Sequence, residues 1–438
     1  MAEPAPRPWK DLPVELLTEI ACHLLCLVDR LCMSRTCHDW WFAVQRPLPP
    51  RQLPWLFLPD PTTVPLPVLP RPGCTRRASF YCVLGNGDTH NLRISHDTAG
   101  ARFFGSYDGG WLLLAHGQIN RHALLNLHTD RRLFLPDYAY CVRGSGWTTV
   151  SIAILVATFS SPPGRNARCF GAAIVGSSCG IPCPQVAFWR MGRTGDRPVA
   201  VAVGFIGTPW SRLEDVIYHK GAFYFLTSDE HVNVYDVFEL QEDEGIHFGV
   251  RAHHQCYFTQ GASRSSSVRV AARYLVESRG ELLMVVKFAT SSPGWVLQTG
   301  AFQVYRATQH LTGAGLVQLA WSELPSLDGR MLFVARGCSR AYEVADFPGF
   351  GFRDGIYFLD DWNSADLEVV SQYGMLGRYS RSDDGWGQLV EEEPIQRYTC
   401  SDNGMCQWVE GASHLQVLRR WFTDKERSNY SPPIWFIP

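Results

Sequence analysis

The chain has 438 residues, of which 46% are apolar and 13% aromatic, with 38 glycines and 28 prolines. This composition is typical of a globular protein rich in turns and short strands, and it argues against an all-helical or a disordered chain. Lys and Arg number 40 against 42 Asp and Glu, so the net charge does not favour nucleic acid or a membrane surface as a partner. The length predicts a large domain plus a smaller one, or a closed repeat architecture.

The first ten residues lack the apolar run of a secretory signal. The longest apolar run, residues 150–159, is shorter than the roughly 20 residues that a membrane-spanning helix needs. We therefore expect a protein of the cytoplasm, the nucleus or both, with residues 1–8 disordered. The 14 cysteines are too dilute for a disulfide scaffold and are expected to be reduced thiols.

Residues 9–45 carry a helical pattern. Leu16, Ile20 and Leu24 recur at i, i+4 and i+8, which gives the first helix one apolar face. Pro13 fits the first helical position, where its missing N–H has no cost. Two further short helices are expected before residue 45. A helical unit this small rarely closes a core alone, so we expect this head to dock on something.

Residues 46–72 form a proline-rich segment that holds ten of the 28 prolines. Proline fixes φ and lacks a backbone donor, so this segment is expected to be neither helix nor central strand. An extended, semi-rigid linker is the prediction. Residues 55–58 are apolar and are expected to pack along the domain that follows.

Residues 73–438 alternate with the period of β-strands, and no amphipathic helix interrupts them. A pattern of strand, Gly-containing turn and strand recurs, with starts near residues 111, 217, 274 and 356. Degenerate repeats of antiparallel strands are typical of propeller blades. We therefore predict a mainly β protein in which a small all-α head precedes a β-propeller-like domain of six to eight blades. A large sandwich or barrel is the alternative.

The head resembles an F-box over about 35 residues. The resemblance rests on residues in the order and approximate spacing of that motif, namely Leu12, Pro13, Leu16, Leu17, Ile20, Asp29, Cys37 and Trp40. It implies a three-helix F-box that binds a Skp-family adaptor and, through it, a cullin scaffold with a RING protein. The adaptor contacts implied are Leu12, Pro13, Leu16, Leu17, Ile20, Leu31 and Trp40. The sequence departs from the motif at Thr36, His38 and Trp41.

The remainder resembles the plant F-box family whose C-terminal region is known as a domain of unknown function (295), related to kelch-type propellers. The stretches that carry this resemblance include "FFGSYDGGWLLLAH", "DVIYHKGAFYFLT", "YLVESRGELLMV" and "GIYFLDD". The resemblance implies a propeller-like fold, a plant source and a receptor role. It does not identify a target.

Two motifs suggest chemistry on their own, and each has a simpler interpretation. Ser178 is the centre of a G-x-S-x-G sequence, but the prolines that follow oppose the helix that a nucleophile elbow needs, so a loop is favoured. Cys22 and Cys26 are spaced by one helical turn rather than as a C-x-x-C metal pair. We therefore expect no metal and no cofactor.

The sequence thus predicts a non-catalytic substrate receptor of a Skp-cullin-F-box type ubiquitin ligase, whose propeller binds an unidentified target protein. The alternative is a binding or inhibitory propeller with a weak or vestigial F-box that does not lead to degradation. An enzyme built on the propeller is the third possibility.

Overall fold

The computed structural model of the protein describes most of the chain, with gaps. The described residues are 9, 12–24, 26–45, 52–58, 75–83, 89–95, 98, 100–117, 119–143, 146–164, 168–177, 185–192, 197–203, 212–242, 245–256, 269–291, 297–311, 317–361, 402–409, 412–422, 428 and 431–438. Residues 1–8, which we expected to be disordered, lie outside this set.

Three short helices form the N-terminal head, as the sequence pattern predicts. They are α1 (Val14–His23), α2 (Leu27–Ser34) and α3 (His38–Gln45). Pro13 is the residue that precedes the first helical turn, one position earlier than expected, and Glu15 lies in that turn, where the helix dipole favours an anion. Within the described ranges, no helix has both the length and the apolar character needed to span a bilayer.

The first sheet joins the two ends of the β domain, and we call it the closing blade. Its strand order is β26-β1-β2-β3, and all three pairings are antiparallel. Trp55 lies opposite Cys82 on one side and opposite Phe436 on the other. The strands are β1 (Trp55–Phe57), β2 (Thr75–Cys82), β3 (Thr89–Ser95) and β26 (Ile434–Phe436).

Four more open sheets follow along the chain, three of them simple antiparallel meanders. In the last sheet the order is β22-β21-β23-β24-β25, with β21 and β23 parallel. The meander strands are β4 (Arg102–Tyr107), β5 (Trp111–Ala115), β6 (His122–Asn126), β7 (Arg132–Phe134), β13 (Leu213–His219), β14 (Ala222–Thr227), β15 (Val232–Glu242), β16 (Gly245–Cys256), β17 (Arg269–Ser278), β18 (Glu281–Ser291), β19 (Leu297–Leu311) and β20 (Val317–Glu323). The last sheet contains β21 (Arg330–Phe333), β22 (Arg340–Glu343), β23 (Gly355–Phe358), β24 (Asn403–Val409) and β25 (Ala412–Trp421).

One sheet differs from the others because it closes on itself. Its first and last strands pair in parallel, with Ala200 opposite Ala139. Its strands are β8 (Tyr138–Arg143), β9 (Gly146–Phe159), β10 (Phe170–Ser177), β11 (Gln185–Arg190) and β12 (Ala200–Val203). The described residues therefore form a propeller-like arrangement of five open blades, and the prediction of six to eight blades was wrong. Strands of up to 15 residues take up more chain per sheet than the repeats suggested.

The two clearest sequence repeats are hairpins, as predicted. Lys220 and Gly221 connect β13 to β14, and Arg279 and Gly280 connect β17 to β18; all four residues have positive φ. Two successive residues with positive φ form the type I′ turn, whose twist matches that of the flanking strands.

Hydrophobic cores lie between successive sheets around the ring. The closing blade contributes to two of them, because alternate residues of a strand point to opposite faces. Trp55 and Phe57 pack with the second sheet, whereas Leu56 and Trp435 pack with the last sheet. Every residue of β1 is buried.

A buried carboxylate joins three sheets near the centre of the ring. Asp215 on β13 accepts hydrogen bonds from the backbone N–H groups of Val216 (2.8 Å), Leu275 (2.7 Å) and Gly337 (2.6 Å). Burial raises the pKa of Asp215 to about 7, although the three N–H donors favour the charged form. Gly337 has φ +71°, and a Cβ there would lie 2.6 Å from the carbonyl oxygen of Ala157, so this approach requires glycine.

The proline-rich segment corrects one prediction. Residues 55–57 form a central strand rather than part of a spacer. The strand can pair on both sides because none of its three residues is proline; Pro54 and Pro59 lie outside it in the sequence. The predicted packing of residues 55–58 on the following domain is confirmed by their burial. Residues 46–51 and 59–72 lie outside the described set.

Replacing Trp435 by Ala should destabilise the β domain by about 3–5 kcal/mol, because a fully buried aromatic side chain leaves a cavity when it is truncated. Its Nε1–H also donates to the Val334 carbonyl oxygen across the ring closure, at 3.1 Å. Chemical denaturation followed by circular dichroism measures the change. Trp147→Ala is the control, since Trp147 is 66% exposed, and equal stability of the two variants would contradict the importance of this closure.

Candidate functional site

The helical head has a small core of its own. Leu17, Ala21, Met33, Ala43 and Val44 are buried in it. Leu17 is therefore an internal packing residue in this structure, whereas the F-box resemblance implied an adaptor contact for it. Leu12, Ile20 and Trp40 are partly buried against the same core.

A buried arginine connects the three helices. Arg30 on α2 donates from Nη1 to the Ala21 carbonyl oxygen (2.6 Å) and from Nη2 to the Val44 carbonyl oxygen (2.9 Å). These two carbonyls lie near the C-terminal ends of α1 and α3. The Ala21 carbonyl oxygen also accepts from the Leu24 backbone N–H at 3.3 Å, so Arg30 supplies a second donor to it. Burial lowers the pKa of Arg30, but a guanidinium group keeps its charge in proteins.

The outer surface of the head exposes several large apolar side chains. Leu16 is 52% exposed and Leu31 is 42% exposed, and Pro13 is also exposed. Trp41 (48%) and Phe42 (42%) on α3 are exposed too. The sequence analysis missed Trp41 and Phe42 as surface candidates, because the aromatic run of α3 gives no periodicity that separates inner from outer positions.

The head is docked on the closing blade through the start of α2. Cys26 is buried in the same core as Trp55 and Phe80, and Leu27 and Val28 pack against that core. The backbone N–H of Leu27 donates to Gln52 Oε1 at 3.0 Å. We expected the head to dock on something, and the sequence did not identify a surface within the chain itself. The structure shows that the start of α2 packs on the closing blade, beside the closure.

The β domain has a central depression with a cavity volume of about 460 Å³. Residues from inner strands of five sheets line it, including Tyr107, Phe159, Tyr218, Glu277 and Arg340. Its chemistry is mixed, with aromatic, hydroxyl and charged groups side by side.

The charged groups at this depression are paired. Arg340 holds Asp108 with two hydrogen bonds, Nε to Oδ1 at 3.0 Å and Nη2 to Oδ2 at 3.2 Å. Arg279 binds Glu343 at 2.6 Å and Asp328 at 2.7 Å. The Glu343 carboxylate, and then that of Asp328, hold the pKa of Arg279 above its ordinary value. Such a surface offers oriented donors and acceptors for recognising a polar partner.

Burial also affects Tyr107, one of the two tyrosines that line this depression. The Tyr107 hydroxyl donates to the Phe159 carbonyl oxygen at 3.3 Å, and burial raises the Tyr107 pKa to about 12. The phenol is thus a neutral hydrogen-bonding group at physiological pH.

The G-x-S-x-G sequence, for which the sequence analysis favoured a loop, lies only partly in the described residues. Gly176 and Ser177 end β10, while Ser178 lies outside the described residues.

Five open sheets and one closed sheet packed in a ring, with a central depression, define a β-propeller protein with a domain suited to protein binding. The chain matches the model of the KIB1-4 beta-propeller family over residues 80–380. The match covers more than half of the chain, so the protein belongs to the KIB1-4 beta-propeller family. A comparison with curated proteins found no match.

Replacing Arg30 by Leu should destabilise the head by about 2–4 kcal/mol, because two buried carbonyls lose a charged donor. Hydrogen exchange at the backbone amides of α1 and α3 should become faster, while exchange in the β domain stays unchanged. Arg35→Leu is the matched control, since Arg35 directly follows α2 and is exposed. Equal exchange in both variants would contradict a structural role for Arg30.

Proposed function

We propose that the protein is the substrate-recognition subunit of a Skp-cullin-F-box type ubiquitin ligase. The head would bind a Skp-family adaptor, and the propeller would bind the target protein. The observation that carries this proposal is the apolar outer surface of a head whose own core is already closed. Leu16 and Leu31 have no role in that core, and their exposure to water is unfavourable without a partner.

The proposed adaptor interface has the chemistry that protein interfaces use. Interface energy concentrates in a few large side chains that become buried on binding. Leu16, Leu31, Trp41 and Phe42 provide such groups on all three helices.

The proposed receptor would act through proximity. Binding a target near a ubiquitin-loaded enzyme converts an encounter between two free molecules into a reaction within one assembly, which raises the effective concentration of the target lysine. The central depression, with its paired charges and aromatic groups, is the proposed target site. We propose that this complex works in the cytoplasm or the nucleus, and the sequence resemblance implies a plant source.

The double variant Leu16→Asp, Leu31→Asp should lose co-purification with a plant Skp-family adaptor, because two charges would be buried in an apolar interface. Both positions are exposed, so the isolated chain should still fold. Val142→Asp is the control, since Val142 is an exposed apolar residue of the β domain, at 62%, and this variant should bind like the wild type. Adaptor binding that persists in the double variant would contradict the proposed interface.

A second function is favoured by where the family match lies. The match begins at residue 80 and so does not include the head, and the residues that depart from the F-box motif, Thr36, His38 and Trp41, are all exposed. In this alternative the propeller binds its partner without causing degradation, and the head is vestigial.

The half-life of a bound partner separates these two functions. For a ligase receptor, proteasome inhibition should lengthen the partner's half-life, and the Leu16→Asp, Leu31→Asp variant should lengthen it to a similar degree. For a non-degradative module, neither change should alter the half-life. Pulse-chase measurement in cells that express each variant tests this, with Val142→Asp again as the control.

A further inference from the structure

Three metal-binding side chains meet where the head docks on the closing blade. Cys26, Cys82 and His90 each point a donor atom into one cluster, and these atoms lie within 4.8 Å of one another. Cys26 Sγ is 3.0 Å from His90 Nε2. The residues come from three separate elements, since Cys26 immediately precedes α2, Cys82 ends β2 and His90 lies on β3.

We propose that Cys26, Cys82 and His90 form a zinc site that joins the helical head to the propeller. Two thiolates and an imidazole are the soft ligands that zinc prefers. A tetrahedral zinc, with Zn–S about 2.3 Å and Zn–N about 2.0 Å, holds its ligand atoms roughly 3.5–3.8 Å apart. The Cys26 Sγ–His90 Nε2 distance of 3.0 Å is close to that separation, and the other two donor pairs lie within 4.8 Å, so small side-chain movements suffice.

The fold prearranges these donors. His90 lies directly opposite Phe80 in the β2–β3 ladder, and Cys82 is two residues from Phe80, so the two donors share one face of the sheet. The His90 ring packs against Trp55 with centroids 5.1 Å apart, which limits its rotation. A fixed ring orientation is a property that metal sites generally require.

The burial of the cluster is suited to a structural metal with access from one side. Cys26 and Cys82 are buried, at 3% and 0% exposure, whereas His90 is only half-buried. The metal would enter past the His90 ring. Because three donors are protein side chains, the fourth coordination position is left for water.

The consequence of the site is a cross-link between parts that are far apart in sequence. Cys26 belongs to the head and His90 to the blade, 64 residues later. Metal coordination would add to the packing of Leu27 and Val28 on the blade and would restrict rotation of the head. The other described head cysteines, Cys22, Cys32 and Cys37, are exposed and outside this cluster.

The test is the zinc content of the full chain, purified under reducing conditions, incubated with one equivalent of zinc and then passed through a desalting column. The wild type should retain one zinc per chain by elemental mass spectrometry. Cys26→Ser and His90→Gln should each lower retention at least about tenfold. His90→Gln changes a half-buried position that is not a member of the buried core, so it disturbs the packing less than Cys26→Ser does.

A matched control and a spectroscopic measurement complete the experiment. Cys141→Ser replaces another buried cysteine, in β8, and it should retain zinc like the wild type. Cobalt(II) in place of zinc should give thiolate charge-transfer and tetrahedral ligand-field bands that Cys26→Ser weakens and His90→Gln shifts. No retained metal in the wild type, equal retention in all variants, or a Cys26–Cys82 disulfide under these conditions would each overturn the proposal. The measurement needs no adaptor, so its result is independent of the proposed ligase function.

Discussion

The pairing of β1 with β26 is the constraint on which the rest of the structure depends. It brings residues 55–57 and 434–436 into one sheet, so the chain must close the ring before its last core can form. Both strands have only three residues, and their stability comes mainly from side chains buried on both faces rather than from the ladder. Pairing with β26 covers the side of β1 that would otherwise be exposed, and it leaves β26, a strand of three residues, as the short edge of the sheet.

The same blade also carries the head. Trp55 shares a core with Cys26, and Leu27 and Val28 of α2 pack against this core. The orientation of the head therefore depends on the closure of the propeller, because β1 exists as a central strand only when β26 is in place. A change in the packing of the closing blade would therefore alter how the head is held, even though α1, α2 and α3 have a small core of their own.

Local patterns predicted the local structure well. The apolar spacing around Leu16 and Ile20 predicted α1, and the Lys220–Gly221 and Arg279–Gly280 pairs predicted hairpins that the structure contains. Predictions that depended on distant contacts were less successful. The central strand in the proline-rich segment arises from pairing with residues near the other end of the chain, and proline content alone cannot reveal it. The Cys26, Cys82 and His90 cluster was missed for the same reason, since only the docking of the head brings these residues together.

How rigidly the head is attached to the propeller matters for the proposal that the receptor holds a target near a ubiquitin-loaded enzyme. A flexible linker would let a receptor hold its target over a wide range of distances, which lowers the effective concentration at any one position. We expected proline to supply the stiffness, but the described part of that segment, residues 52–58, packs on or within the closing blade. The head is thus held by direct packing and by the Leu27–Gln52 hydrogen bond. For a receptor that works through proximity, such a joint specifies the direction in which a bound target is presented, and a proline spacer alone would not.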